Sequence, residues 1–235
     1  MQRLLILLLI AGITFNCAGG DATDTQEETS DVNTEESSEV AEATMVNPNL
    51  ASKEDLVALP QISEELAQQI IDQRPFLGIK AFHEVLSAAG LDASAIETLF
   101  VNCFVPLNLN TTPEEDFLMV PGVGKKMAHE FEEYRPYKKV AQFRREMGKY
   151  VDEAEIARYE QYVFVPIELN TATEEEILAL PGVGKKMAHE FEEYRPYVSM
   201  EQFRREIGKY VDEKELARLE RFVMLDTEGG SSSDE

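Results

Sequence analysis

Cysteine is nearly absent from this chain: Cys17 and Cys103 are the only two among 235 residues. So distant a pair excludes a disulfide scaffold and a cysteine-based zinc site. No apolar run reaches the roughly 18 residues that a membrane-spanning helix needs. Bases are scarce, with 22 Lys+Arg against 45 Asp+Glu and a formal net charge of −23. Bulk charge therefore argues against a nucleic-acid binder, and any such site has to be built locally. A P-loop, an HExxH pair and a Ser-His-Asp order are all missing, so no catalytic residue and no cofactor is expected. No sustained period-two alternation signals strands. Apolar residues make up 43% of the chain, enough for real cores.

The acids are unevenly spread. Residues 18–45 hold nine acids and no base, and residues 226–235 hold four acids and no base. Between them, 46–225 carry 32 acids and 21 bases. Segment 18–45 is rich in Thr, Glu, Asp and Ser without an aromatic residue, the composition of an extended acidic tether. The Gly-Gly-Ser-Ser-Ser stretch within 226–235 reads as a loose tail.

Residues 1–17 read as an address. Arg3 supplies one positive charge, Leu4 to Phe15 form a short apolar run, and Cys17 follows at once. This arrangement resembles a bacterial lipoprotein signal, in which the cysteine becomes lipidated. Thr14, Phe15 and Asn16 depart from that family's usual residues ahead of the cysteine. The resemblance implies an exported protein anchored to a membrane through Cys17, facing the periplasm or cell surface. Cys103, set beside Phe104-Val105-Pro106, is expected to be a buried thiol.

The strongest signal is internal repetition. Pro121 to Tyr137 and Pro181 to Tyr197 are identical at a period of 60, and the identity resumes at Gln142–Glu146 and Gln202–Glu206. A weaker copy precedes them, with Leu59-Pro60-Gln61-Ile62-Ser63 over Val120-Pro121-Gly122-Val123-Gly124. Three tandem units follow: 46–106, 107–166 and 167–225. Each reads as about four short helices, so the expected class is all-α. Thr112-Pro113-Glu114-Glu115 has the look of a capping box, as do Thr173 and Glu176. Val123, Met127, Phe131 and Tyr134 share one face of a second helix. Val140, Phe143 and Met147 mark a third. Asp152 caps a fourth, with Ile156, Tyr159 and Val163 apolar.

The turn before the second helix carries the chemistry. Gly122 and Gly124 remove side chains, allowing close approach of backbone to a ligand and unusual dihedrals. The helix start leaves amide N–H groups unpaired and favours an anion. Lys125 and Lys126 add two cations, and Val123 sits between the glycines. The third unit repeats the set as Gly182, Val183, Gly184, Lys185 and Lys186. The first unit has Gln61, Ser63, Glu64 and Glu65 instead, and no phosphate is expected there. His129 and His189 read as surface residues. Lys138, Lys139, Arg144, Arg145 and Lys149 form a local basic cluster, matched by Arg204, Arg205 and Lys209. Backbone contact and internal pairing with Glu146 or Glu206 are equally open for these.

Val120-Pro121-Gly122-Val123-Gly124-x-x-x-Ala128, with Leu109-Asn110-Thr111 before it, resembles the helix-hairpin-helix motif and the duplicated modules of the ComEA competence DNA-receptor family. The resemblance covers 46–225. It implies weak, sequence-independent binding of DNA backbone, with DNA uptake or capture at the cell envelope as the role. The hairpin also resembles that of base-excision DNA glycosylases, where Lys126 and Lys186 would match a Schiff-base lysine. The downstream aspartate stretch and second domain of those enzymes are not recognisable, so no enzyme is expected. The photosystem subunit PsbU family has a similar fold and serves as a docking piece. A non-catalytic protein-docking role without DNA is therefore the alternative, with no protein partner named.

Overall fold

The computed structural model describes residues 45–226. The expected address at 1–17 with Cys17, the tether at 18–45 and the tail at 226–235 lie, but for one residue of each of the last two, outside the described residues.

Among the described residues, twelve helices follow one another in three sets of four. The first set is α1 (Lys53–Val57), α2 (Glu64–Asp72), α3 (Ile79–Ala88) and α4 (Ala93–Phe100). The second is α5 (Glu114–Phe117), α6 (Lys125–Glu133), α7 (Val140–Met147) and α8 (Glu153–Glu160). The third is α9 (Glu174–Leu178), α10 (Lys185–Glu193), α11 (Met200–Ile207) and α12 (Glu213–Glu220). The fold is all-α, with strand confined to dipeptides. Strand β1 (Leu107–Asn108) pairs in parallel with β2 (Val163–Phe164), and β3 (Ile167–Glu168) with β4 (Val223–Met224). A single parallel bridge joins Val46 to Cys103. Each set is thus clipped shut where its chain enters and leaves.

Local chemistry starts the helices. Ser52 and Thr173 each complete a capping box, with Asp55 and Glu176. Asp92, Asp152 and Asp212 cap the last helix of each set. The box expected at Thr112 and Glu115 does not form. Pro113 is the N-cap residue of α5 and has no side-chain cap bond. A proline offers no N–H for the return bond of a capping box, and Glu115 instead pairs with Lys80 of α3.

A three-part clamp closes each set. The Asn110 side chain brackets Tyr137, accepting from its N–H at 2.7 Å and donating to its carbonyl at 2.8 Å. Asn49 does the same to Phe76 and Asn170 to Tyr197. The arginine two residues before each aromatic donates to two loop carbonyls: Arg74 to Pro48 and Ala51, and Arg195 to Leu169 and Ala172. Arg135 makes the same pair of bonds to Leu109 and Thr112. The Arg–Pro bond in each is cis.

The core of the second set centres on Phe131, whose ring meets Phe117, Phe143 and Tyr159 at 5.3–5.4 Å between centroids. Burial of such a side chain stabilises by roughly 1.5–3 kcal/mol. Val123 and Met127 are buried with it and Tyr134 is half-buried. Two expectations need correction. Val140 opens α7 but is exposed and lines a cleft, because the helix turns Phe143, Glu146 and Met147 inward. Val163 is buried but belongs to β2, since α8 ends at Glu160. The first and second sets share one apolar cluster, joined by the edge-on contact of Phe104 with Tyr162, while the third has its own. Cys103 is fully buried in the shared cluster, and burial pushes its thiol up to about 12.

Candidate functional site

Helices α5 and α6 are joined by Val120-Pro121-Gly122-Val123-Gly124. Val120 and Val123 point into the core, and the Val123 N–H donates to the Val120 carbonyl at 3.0 Å. Those two anchors push Pro121, Gly122 and Gly124 outward. Gly122 has φ +79°, the left-handed region that glycine enters freely. Gly124 does not share that strain: its φ is −92°, and a Cβ there would meet nothing within 4 Å. The role left to Gly124 is to keep the helix mouth open. It is the N-cap of α6 and supplies no side-chain bond. The first helical bond runs from the Ala128 N–H to the Gly124 carbonyl, at 3.0 Å. The amides ahead of it are free for an external acceptor.

The third set repeats this geometry. Val183 is buried, Gly182 has φ +78°, and Gly184 opens α10 without a side-chain cap. Lys125, Lys126, Lys185 and Lys186 are all exposed, and among the described residues none of the four has a carboxylate ion-pair partner. The Lys126 ammonium lies 5.3 Å from the ring centre of Tyr150. Helix starts already favour anions; two cations without carboxylate partners at each strengthen that field.

Of the two basic clusters, every member but Lys139 is held by an acid; Lys139 is exposed and has no carboxylate ion-pair partner among the described residues. Arg145 pairs with Glu146 at 2.6 Å, and Lys149 pairs with the same carboxylate. Arg144 binds Glu160 through two nitrogens, at 2.6 and 2.8 Å. Arg205 and Lys209 pair with Glu206, and Arg204 with Glu220. Lys138 reaches Asp226 at 2.9 Å. Of the two readings open for the basic cluster, internal pairing describes Arg144, Arg145 and Lys149. His129 and His189 are exposed beside glutamates, His189 lying 3.5 Å from Glu193.

In the first set the backbone keeps the turn while the chemistry is inverted. Gln61 has φ +69°, the counterpart of Gly122. Ser63 caps α2 by accepting from the Leu66 N–H at 3.2 Å. The Glu65 backbone amide, and then Ser63, hold the Glu65 carboxyl below its ordinary range. The amides that α6 and α10 leave open are here bound by the chain's own oxygens.

Sequence reasoning missed the bracing of the turn. Arg158 of α8 donates to the Pro121 carbonyl at 2.6 Å and is held by Glu155 at 2.6 and 2.7 Å. Arg218 of α12 does the same to Pro181, held by Glu215. Both pairs recur at the 60-residue period, which was the available signal. Beside each hairpin the hydroxyls of a tyrosine pair meet at 2.8 Å: Tyr134 with Tyr150, and Tyr194 with Tyr210.

A row of two-helix hairpins, each closed by a Pro-Gly-Val-Gly turn in its second and third copies, defines a small helical module with an anion-attracting turn. The sequence model of the helix-hairpin-helix motif matches residues 163–224, from β2 through the whole third set. No curated protein and no solved structure matches the chain.

Proposed function

We propose that this protein binds the backbone of DNA, weakly and without reading its sequence, through Gly122–Lys126 and Gly182–Lys186. One observation carries the reading: an uncapped helix start and two lysines without carboxylate partners occur together, twice, within a strongly acidic protein. Phosphate contacts of this kind position a duplex and carry no base information. The match of the helix-hairpin-helix motif to 163–224 supports the same reading. The protein performs no catalysis and needs no cofactor. The apolar run and Cys17 support an exported lipoprotein, and the capture of extracellular DNA at the cell envelope is the role that fits both ends of the chain.

The test is DNA affinity across a salt series. With two hairpins touching about two phosphates each, four counterions are released and log K falls with log salt at a slope of about −3 to −4. Lys125→Ala, Lys126→Ala, Lys185→Ala and Lys186→Ala together flatten that slope and leave the helical content intact. Absence of binding at about 50 mM salt, where the electrostatic contribution is strong, overturns the reading. The alternative, a non-catalytic docking module, draws on the apolar cleft of about 730 Å³ bounded by α7 and segment 163–181. It predicts negligible DNA affinity and no effect of the lysine substitutions.

A further inference from the structure

We propose that Arg158 and Arg218 are positioning residues of the two hairpins. Each holds the turn so that the amides at the following helix start face a phosphate, without touching the phosphate itself. The inference rests on the backbone-binding reading of the same hairpins and adds residues that lie some 35 positions beyond them in the chain.

Three contacts define the brace. Arg158 donates one bond to the Pro121 carbonyl and two to the Glu155 carboxylate. A Cβ on Gly122 would stand 3.1 Å from the Arg158 Nη2, and one on Gly182 would stand 2.7 Å from the Arg218 Nη2. The guanidinium therefore lies directly against the left-handed glycine, and a Cβ there would have to displace it. The charge is spent on the bidentate glutamate, so the arginine acts by geometry. Its stem is held in turn, since the Arg158 guanidinium stacks 4.9 Å from the Tyr159 ring centre.

The first set supplies the contrast. Aligned on the capping residues Asp92 and Asp152, the positions of Glu155 and Arg158 are taken by Ala95 and Thr98. Thr98 turns its hydroxyl to the Ser94 carbonyl of its own helix, at 2.8 Å. Yet the turn there still reaches a positive φ at Gln61. The brace is thus dispensable for forming the turn. It is present in the two copies with glycines and lysines and missing from the copy without them. That distribution fits a part needed to present the amides and not one needed to fold the unit.

The experiment uses the full chain with Lys185→Ala and Lys186→Ala, so that the second hairpin carries the binding. Into it go Glu155→Ala and Arg158→Thr together, the pair that the first set already carries. Arg158 is about one-third exposed, whereas Arg218 is buried and is left alone. The expected result is an unchanged helical signal with DNA affinity lowered about tenfold, the usual scale for residues that only orient a binding group. The slope of log K against log salt stays the same, because no phosphate-contacting cation is removed. Arg158→Lys, which keeps a donor for the Pro121 carbonyl, recovers part of the affinity. Unchanged affinity in the double variant overturns the proposal, and so does a slope flattened by about one, which makes Arg158 a direct phosphate contact. If the lysine-depleted parent and the unsubstituted protein both fail to bind DNA, the backbone reading falls. The brace is then judged on amide exchange at Val123 and Ala128, the hydrogen-bonded amides of the turn and the helix start, in the free protein: faster exchange in the double variant upholds it, and unchanged exchange overturns it.

Discussion

The Arg221 guanidinium donates to the Pro106 carbonyl across 2.6 Å, tying the end of the third helical set to the seam between the first two. The Arg221 carbonyl accepts from the Asn108 side chain at 3.1 Å, and the guanidinium stacks on Phe164 and Phe222. Burial, with Arg218 nearby, lowers its pKa to about 10. No carboxylate pairs with it among the described residues, so backbone carbonyls and ring faces hold the charge. Arg221→Ala is expected to cost about 1–3 kcal/mol, the penalty for stranding a buried polar partner. Urea unfolding reads the loss, and DNA affinity of the folded variant stays unchanged.

Glycine substitutions should separate two roles that look alike in sequence. Gly122→Ala forces a Cβ into the left-handed region and against Arg158, and lowers stability by about 1 kcal/mol or more. Gly124→Ala meets open space at an ordinary φ and leaves the melting temperature within a few degrees. Its methyl group nevertheless stands at the helix mouth, so DNA affinity falls. Equal losses of stability at the two positions contradict this division.

The clamp on each set is predicted to be a stability element. Asn49 is buried and spends its side chain on the Phe76 N–H and carbonyl. Asn49→Ala strands both and is expected to cost about 1–3 kcal/mol by chemical denaturation, with no change in salt dependence of DNA binding.

Acid should loosen the helical sets. Lys149, then Arg145, hold the Glu146 carboxyl below its ordinary 4.5, and Lys209 and Arg205 do the same for Glu206. A carboxyl whose folded pKa is depressed contributes stability that is full above its unfolded pKa. That stability is lost as pH falls through the folded value. The melting temperature is expected to be flat from about pH 8 to 6 and to drop below about pH 4.5. Glu146→Gln with Glu206→Gln lowers the neutral-pH value and shrinks the acid drop; an undiminished drop assigns it to other carboxyls.

Cutting the chain at 106/107 separates residues that share a core. Phe104 and Tyr162 meet edge-on at 5.0 Å, and the first two sets form one apolar cluster. Residues 107–225 alone are therefore expected to melt at lower temperature than 46–225 in a calorimeter, even if their hairpins bind DNA.

The order of helices, the Pro-Gly-Val-Gly turns and the lysine pairs were legible in the sequence, because caps, turn residues and a 60-residue repeat are local signals. Turn shape was only half legible. Gly122 and Gly124 look interchangeable on paper, but the anchors Val120 and Val123 place only the first at positive φ. Gln61, which stands where the glycine belongs, holds the same turn shape, and it is Ser63, Glu64 and Glu65 that close the helix start to an anion. Which bases are spent and which remain open was decided by tertiary structure, since Arg144 meets Glu160 and Arg158 meets Pro121 only once α8 packs back on the hairpins. Charge counts treat all bases alike, while partners at hydrogen-bond distance depend on the relative placement of helices. That placement comes from burying Phe131, Phe143 and Tyr159 together, a long-range packing solution that no local pattern of residues expresses.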